Sequence, residues 1–288
     1  MDTATINQLL LPLGLGLILF AMGLTLTLAD FRRVVEAPWA VSVGLAGQIV
    51  LMPLLGLAFL FAWPQAPVIA VGFMLLLACP GGPTSNFLTY LARGDTALSV
   101  TLTAISSLIG AVTVPIVVNI GIVLVGDGST RELPLGNTVL RLFLTTTLPV
   151  LLGLALRETL PGLARRLEPI LAKVALVVFA AIVLYAAISA WALLSQQVLG
   201  LLAPVITLNL LVMGMGWLLA RTARLSPPRR TAVAMETGLQ NAALAIFIAF
   251  NVLNDPALIG PAAVYSIWMN IAALGFAWWM ARWSRARV

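Results

Sequence analysis

Fifty-six consecutive residues, 37–92, contain no Asp, Glu, Lys or Arg. A helix needs about 20 apolar residues to cross a bilayer, so this window alone must hold two crossings. Four further windows, 3–29, 96–126, 174–220 and 256–281, are equally free of charge. Apolar residues make up 61% of the chain and charged residues 9%, against roughly 25% charged in soluble domains. The chain is therefore a polytopic membrane protein. That excludes a soluble enzyme, a disulfide scaffold and a secreted binding module.

Breaks at charges, Pro/Gly clusters and aromatic ends divide the chain into nine expected helices. They run over about 7–29, 38–62, 66–92, 96–124, 137–156, 170–193, 198–220, 230–251 and 257–281. Trp39, Trp63, Trp191, Trp217, Trp278, Trp279 and Trp283 fall mostly near span ends, where interfacial aromatics collect. The charges test the parse independently. With nine spans, one side receives only Arg131 and Arg141, and the other receives the remaining fourteen of the 16 Lys and Arg. The positive-inside rule then places the N-terminus outside and the C-terminus in the cytoplasm. Met1-Asp2-Thr3 lacks the positive n-region of a cleavable signal, so the first apolar run is expected to be a span.

An internal repeat follows from this parse. Spans 1–4 begin outside and spans 6–9 begin inside, with span 5 as the link. The third member of each set is interrupted, by Pro80-Gly81-Gly82-Pro83-Thr84-Ser85-Asn86 and by Glu236-Thr237-Gly238-Leu239-Gln240-Asn241. Interrupted spans at matching places in oppositely oriented halves point to an inverted-repeat secondary transporter.

Chemistry is scarce. There is no His, and Cys79 is the single Cys, so neither an intrachain disulfide nor a thiolate metal cluster is possible. Glu236 stands inside the eighth span, where a carboxylate costs about 2.5–3.5 kcal/mol on insertion scales. One reading pairs it with Arg229 or Arg230 at the interface. The other notes that Thr237, Gln240 and Asn241 accompany it around Gly238, in a broken helix whose free carbonyls must line a cavity or hold an ion. Ser85 and Asn86 follow the first break, Ser99 and Thr103 share one face of the fourth span, and Gln48 lies in the second. Each alone reads more readily as interhelical glue. Together with one anion they suit a hard monovalent cation, because the charge is too small for a dedicated divalent site. Sodium fits, and a proton on Glu236 is the rival.

The run Cys79-Pro80-Gly81-Gly82-Pro83-Thr84-Ser85-Asn86, continuing Thr89-Tyr90-Leu91-Ala92-Arg93-Gly94-Asp95-Thr96-Ala97-Leu98-Ser99-Val100, resembles the bile acid:sodium symporter family. So do the E-x-G-x-Q-N element Glu236–Asn241, Gln48…Met52-Pro53, and Tyr265-Ser266-Ile267-Trp268-Met269-Asn270. The likeness is to bacterial members of the nine-helix variety, and it implies a multi-pass protein of the bacterial inner membrane. It further implies one sodium site at Ser85, Asn86, Ser99, Thr103 and Glu236. A second would use Gln48, Glu236 and Gln240 with the carbonyls of Thr237 and Leu239. It also implies that spans 3 and 8 cross at their breaks. A core of spans 2–4 and 7–9 (about 38–124 and 198–281) would work against a panel of spans 1, 5 and 6, all within one transporter domain.

Two departures bear on substrate. Pro83 stands where the family commonly has Thr, with the hydroxyl one place later at Thr84, and Met269 stands where some bacterial members have His. Thr84, Asn241 and Asn270 are expected to face the substrate, in a pocket made more apolar by Pro83 and Met269. The resulting expectation is a sodium-coupled symporter of an organic anion, bile-acid-like or a small carboxylate such as pantoate. Sodium is the only cofactor and nucleic acid is not a partner. The alternative is a proton-coupled carrier or exporter using Glu236. A hydrolase lacks a nucleophile–base set, arsenite export has only the one thiol of Cys79 to lean on, and a channel is distinguished by counterflow.

Overall fold

The computed structural model describes residues 9–128, 130, 132–189 and 191–285, without the side chains of Pro83, Ala186, Ala187, Ser189, 191–197, Ala281 and 283–285. The described regular structure is helical throughout, confirming an all-α polytopic membrane protein. We number the helices α1 (Leu11–Thr25), α2 (Leu28–Glu36), α3 (Pro38–Ala62), α4 (Pro67–Ala78), α5 (Pro83–Leu91) and α6 (Thr96–Val125). They continue as α7 (Leu135–Thr159), α8 (Pro161–Ser189), α9 (Trp191–Thr222), α10 (Pro227–Gly238), α11 (Ala242–Asn251) and α12 (Ile259–Arg285). Five of them start on proline, whose missing N–H and fixed φ suit the first helical position. Short π-helical stretches, Gly47–Leu51 and Phe143–Thr147, interrupt α3 and α7.

Among the described residues, six helical stretches are long and apolar enough to cross a membrane, and the bent pair α1–α2 makes a seventh candidate. The apolar helices α4 and α11 are shorter, at 12 and 10 residues. At 1.5 Å per residue, α4 covers only about 18 Å, so it cannot span alone. Each is one half of an interrupted unit, α4 with α5 and α10 with α11.

The chain departs from the expected boundaries at three places, one of them the loop expected over 194–197, which is helical because α9 already begins at Trp191. The first span was expected to run unbroken over 7–29, and residues 7 and 8 lie outside the described residues. Within them, the chain turns by 66° between α1 and α2. Thr27 is extended, and the Asp30 carboxylate accepts its amide at 2.7 Å and its hydroxyl at 2.9 Å, which starts a new helix. The short amphipathic α2 was hidden because its charges read as a loop. The segment 157–169, expected as a loop, is helical except at Leu160, and α8 runs straight through Pro169. Charge marks where a helix leaves the membrane and not where it ends.

Trp39, Trp63, Trp278 and Trp279 are exposed. Arg282 stacks over Trp278 and Arg221 over Trp217, as cations do on interfacial indoles. The expected interfacial Trp191 and Trp283 lie outside the described side chains, as does Arg131 of the charge count.

The basic ends of α2 and α10 meet the N-terminus of α6 at Asp95. Its carboxylate caps α6 through the Leu98 amide (3.0 Å) and pairs with Arg33 (3.2 Å) and Arg229 (3.5 Å). Its own amide donates to the Pro228 carbonyl at 2.9 Å. Thr101 adds a hydroxyl bond to the Asp30 carbonyl. Asp95→Ala should lower stability by about 1–2 kcal/mol through the lost cap, while Asp95→Asn, which keeps the cap, loses less. Thermal unfolding in detergent checks both, with Arg32→Ala, on the exposed face of α2, as the neutral control.

Candidate functional site

The two interruptions pair with each other. Gly81 and Gln240 form an isolated antiparallel bridge. The Gly82 amide donates to the Leu239 carbonyl (3.1 Å), and the Asn241 amide donates to the Pro80 carbonyl (2.9 Å). Backbone freed by one break is thus satisfied by the other, as apolar surroundings demand. Gly81 permits the approach, since a Cβ there would collide with the Glu236 carboxylate.

Glu236 lies in the last turn of α10 and is 1% exposed. Ser85 Oγ donates to its Oε2 at 2.8 Å, and Thr103 Oγ1 lies 2.8 and 2.9 Å from the two carboxylate oxygens. Ser99 Oγ is 3.4 Å from Oε2 and 2.9 Å from Asn86 Oδ1. The five residues Ser85, Asn86, Ser99, Thr103 and Glu236 therefore share one buried cluster. The interfacial pairing considered for Glu236 is absent: Arg229 pairs with Asp95, and Arg230 donates to the Leu225 carbonyl at 2.6 Å. Among the described residues, no Lys or Arg pairs with Glu236.

The cluster is short of protons. Ser85, Ser99 and Thr103 have one hydroxyl proton each, and Ser85 also lies 2.8 Å from the Gly82 carbonyl and Thr103 3.0 Å from the Ser99 carbonyl. Carboxylate, amide and carbonyl lone pairs outnumber those protons. Thr89 joins as well, donating to Ser99 at 3.3 Å. Sequence reasoning gave it no role, although it stands four residues after Ser85 on the same helix face.

A second group surrounds Gln240. Its Nε2 donates to the Thr237 carbonyl (2.7 Å), and its Oε1 accepts from Gln48 Nε2 (3.0 Å), which also reaches the Cys79 carbonyl (3.1 Å). The Gln48 Oε1 is buried without a partner. Gln48 sits in the π-helical stretch of α3, beside a cleft shared with Cys79, Pro80 and Ser106 that has room for about one water. The Glu236 carboxylate makes its hydrogen bonds to the first group and none to Gln48 or Gln240. The Leu239 carbonyl, expected as a ligand, already accepts from Gly82.

The expected substrate residues are split. Asn241 caps α11 through the Leu244 amide, and its Nδ2 is buried and unpartnered. Thr84 is half-buried in the first turn of α5. On α12, Asn270 bonds back to the Ser266 carbonyl at 2.7 Å, and Met269 packs into the apolar core. The Pro83 side chain lies outside the described residues. Two further polar residues had been assigned no role: Asn209 Nδ2 and Tyr265 Oη both donate to the Gly238 carbonyl, at 2.9 and 3.1 Å. Asn209, lone in a charge-free span, was the available signal.

A profile described as the Sodium Bile acid symporter family matches residues 12–197. The chain belongs to the sodium/bile acid symporter family. It is 31% identical over 260 residues to the uncharacterized sodium-dependent transporter YocS of Bacillus subtilis, covering 90% of this chain and 78% of that one. It is 32% identical over 238 residues to the human ileal sodium/bile acid cotransporter (81% and 67%). Against the probable sodium/metabolite cotransporter BASS2 of rice it is 28% identical over 271 residues (93% and 64%). This family comprises membrane transporters of organic anions coupled to sodium, and not enzymes.

Gly81→Ala should displace the Glu236 carboxylate and cost roughly 1–3 kcal/mol. Gly82→Ala, whose Cβ would stand 3.4 Å from the Gln240 carbonyl, should be nearly neutral. Thermal melting of the two variants side by side tests the difference.

Proposed function

We propose that this chain is a sodium-coupled symporter of an organic anion that works by alternating access across a bacterial plasma membrane. The observation that carries the reading is the buried, proton-poor oxygen cluster around Glu236. An unpaired carboxylate is costly in an apolar interior unless a cation or a proton neutralises it. Sodium would be held first by Ser85, Asn86, Ser99, Thr103 and Glu236. A second ion would take Gln48, Glu236 and Gln240 with the carbonyls of Thr237 and Leu239. Each of those carbonyls keeps one lone pair beyond its present hydrogen bond. Small hard cations favour such neutral oxygens around one carboxylate.

The transport unit is a nine-span inverted repeat, with α4–α5 and α10–α11 crossing at their breaks. Support for a separate panel comes from α1, which packs against α7 and α8, while α3–α6 and α9–α12 pack around the breaks. Ala242–Phe250 of α11 are all buried, packing chiefly on α12 and also on α1 and α8, whereas α5 exposes Phe87, Tyr90 and Leu91. These packings favour a state closed at the α11 end and open at the α5 end, where Arg93 and the basic loops mark the cytoplasm. At the closed end, Arg141 of α7 donates to the Asn251 carbonyl at 2.6 Å, away from the breaks. An anionic substrate at the breaks would then meet the N-termini of α5 and α11 and the free Asn241 amide, with sodium as the counter-charge. Thr84, Asn270, Met269 and Pro83 would complete the pocket. The relatives' names range from bile acids to unnamed metabolites, and we favour a small carboxylate.

Sodium binding is expected to stabilise the purified protein by about 2.7 kcal/mol at a hundred times its Kd. The measurement is thermal melting in sodium against potassium and choline at equal ionic strength. Selectivity for sodium should disappear in Glu236→Ala and Ser99→Ala. Identical melting of the parent protein in all three salts overturns the sodium sites and favours proton coupling, which transport against a pH gradient then tests. In vesicles, Glu236→Ala should insert normally yet abolish coupled uptake.

A further inference from the structure

The second sodium site, as read above, uses the carbonyls of Thr237 and Leu239 but skips the one between them. The hydrogen bonds of the break account for this. Asn209 Nδ2 and Tyr265 Oη both donate to the Gly238 carbonyl, so its two lone pairs are taken, and Asn209 Nδ2 also donates to Tyr265 Oη at 2.9 Å. The Thr237 carbonyl accepts instead from Gln240, and the Leu239 carbonyl from Gly82, toward the other break. The middle carbonyl is turned to α9 and α12, and its neighbours are turned to the ion site.

A whole face of α9 serves this turn. Asn209, Val212, Met213 and Gly216 follow the i, i+3, i+4, i+7 spacing of one helix face. The Val212 carbonyl accepts from the Thr237 hydroxyl at 3.1 Å. The Met213 side chain fills the place a Cβ on Gly238 would need, and a Cβ on Gly216 would collide with the Thr237 hydroxyl. Asn209 and Tyr265 are both 0% exposed, so no water substitutes for either bond from bulk.

We infer that Asn209 and Tyr265 are positioning residues of the second sodium site: by holding the Gly238 carbonyl away, they aim the Thr237 and Leu239 carbonyls at the ion. They do not touch the ion. The inference rests on the sodium reading above. Without the two donors, the extended stretch at Leu239 is free to rotate its peptide planes. The Gly238 carbonyl then competes for the ion or leaves the ring incomplete. Affinity falls, and discrimination between cations of different radius changes with it.

The test is thermal melting of the full-length purified chain in a sodium chloride titration at constant ionic strength with choline, repeated with lithium chloride. Tyr265→Phe and Asn209→Ala are compared with the parent protein. Loss of one neutral hydrogen bond should raise the half-saturating sodium concentration about fivefold, with an altered lithium-to-sodium ratio. A merely structural role lowers melting in choline and leaves the midpoint and the ratio unchanged. That result in the variants, with a normal sodium response in the parent protein, overturns the positioning role alone. A parent protein that does not respond to sodium overturns the sodium reading itself. Tyr265→Phe removes a single oxygen and keeps the buried ring, so it decides the matter should Asn209→Ala not accumulate.

Discussion

Two helices can be interrupted inside a membrane only where the freed backbone groups find partners, and here the two breaks find each other. The bonds from Gly82 to Leu239 and from Asn241 to Pro80 are reciprocal, like a one-rung antiparallel ladder set between four short helices. Everything of chemical interest hangs on that rung. It places the last turn of α10 against the first turn of α5, and so puts Glu236 within reach of Ser85. It needs glycine at 81 because a side chain there would occupy the carboxylate's place. With α6 packed alongside, Thr103 and Ser99 close the cluster from a third helix.

A carboxylate so enclosed gives the protein a reason to couple. The hydroxyls of Ser85, Ser99 and Thr103 cannot satisfy every lone pair around Glu236, and burial removes the water that otherwise would. On the proposed reading, a cation in the cluster would occupy the unsatisfied lone pairs and neutralise the charge in one event. The same event would draw α5, α6 and α10 onto one centre. Because α5 and α11 begin at the breaks, an ion that fixes the breaks also fixes the two helix N-termini offered to an anion. By linkage, substrate that favours the assembled crossover must favour the ions equally.

Much of this was legible in the sequence, for reasons that can be stated residue by residue. Charge-free windows gave the helices, since lipid tolerates little else. Pro80-Gly81-Gly82-Pro83 and Gly238 gave the breaks because those residues cannot easily continue a membrane helix. Glu236 with Ser85, Asn86, Ser99 and Thr103 was recognisable because polar oxygens are rare in such a chain. The bend into α2 was not, because nine residues of mixed polarity look like any cytoplasmic loop until Asp30 is seen capping Thr27. Thr89, Asn209 and Tyr265 were given no role because a single hydroxyl or amide in a membrane helix carries no directional signal. Only the third dimension shows that Asn209 and Tyr265 converge on one carbonyl.

That convergence separates two jobs that buried polar residues perform in this fold. Ser85, Thr103 and Gln240 present atoms to the space around Glu236 and the breaks. Asn209 and Tyr265 face the same backbone from behind and use up a carbonyl that would otherwise point into that space. In an apolar medium an unbonded carbonyl seeks any available donor or cation, so silencing one is as directive as presenting another. The broken helix is thus shaped on both faces, by oxygen donors toward the partner break and by hydrogen-bond donors toward α9 and α12. If the breaks hold sodium as proposed, specificity for one cation would follow from how rigidly the second face holds the first.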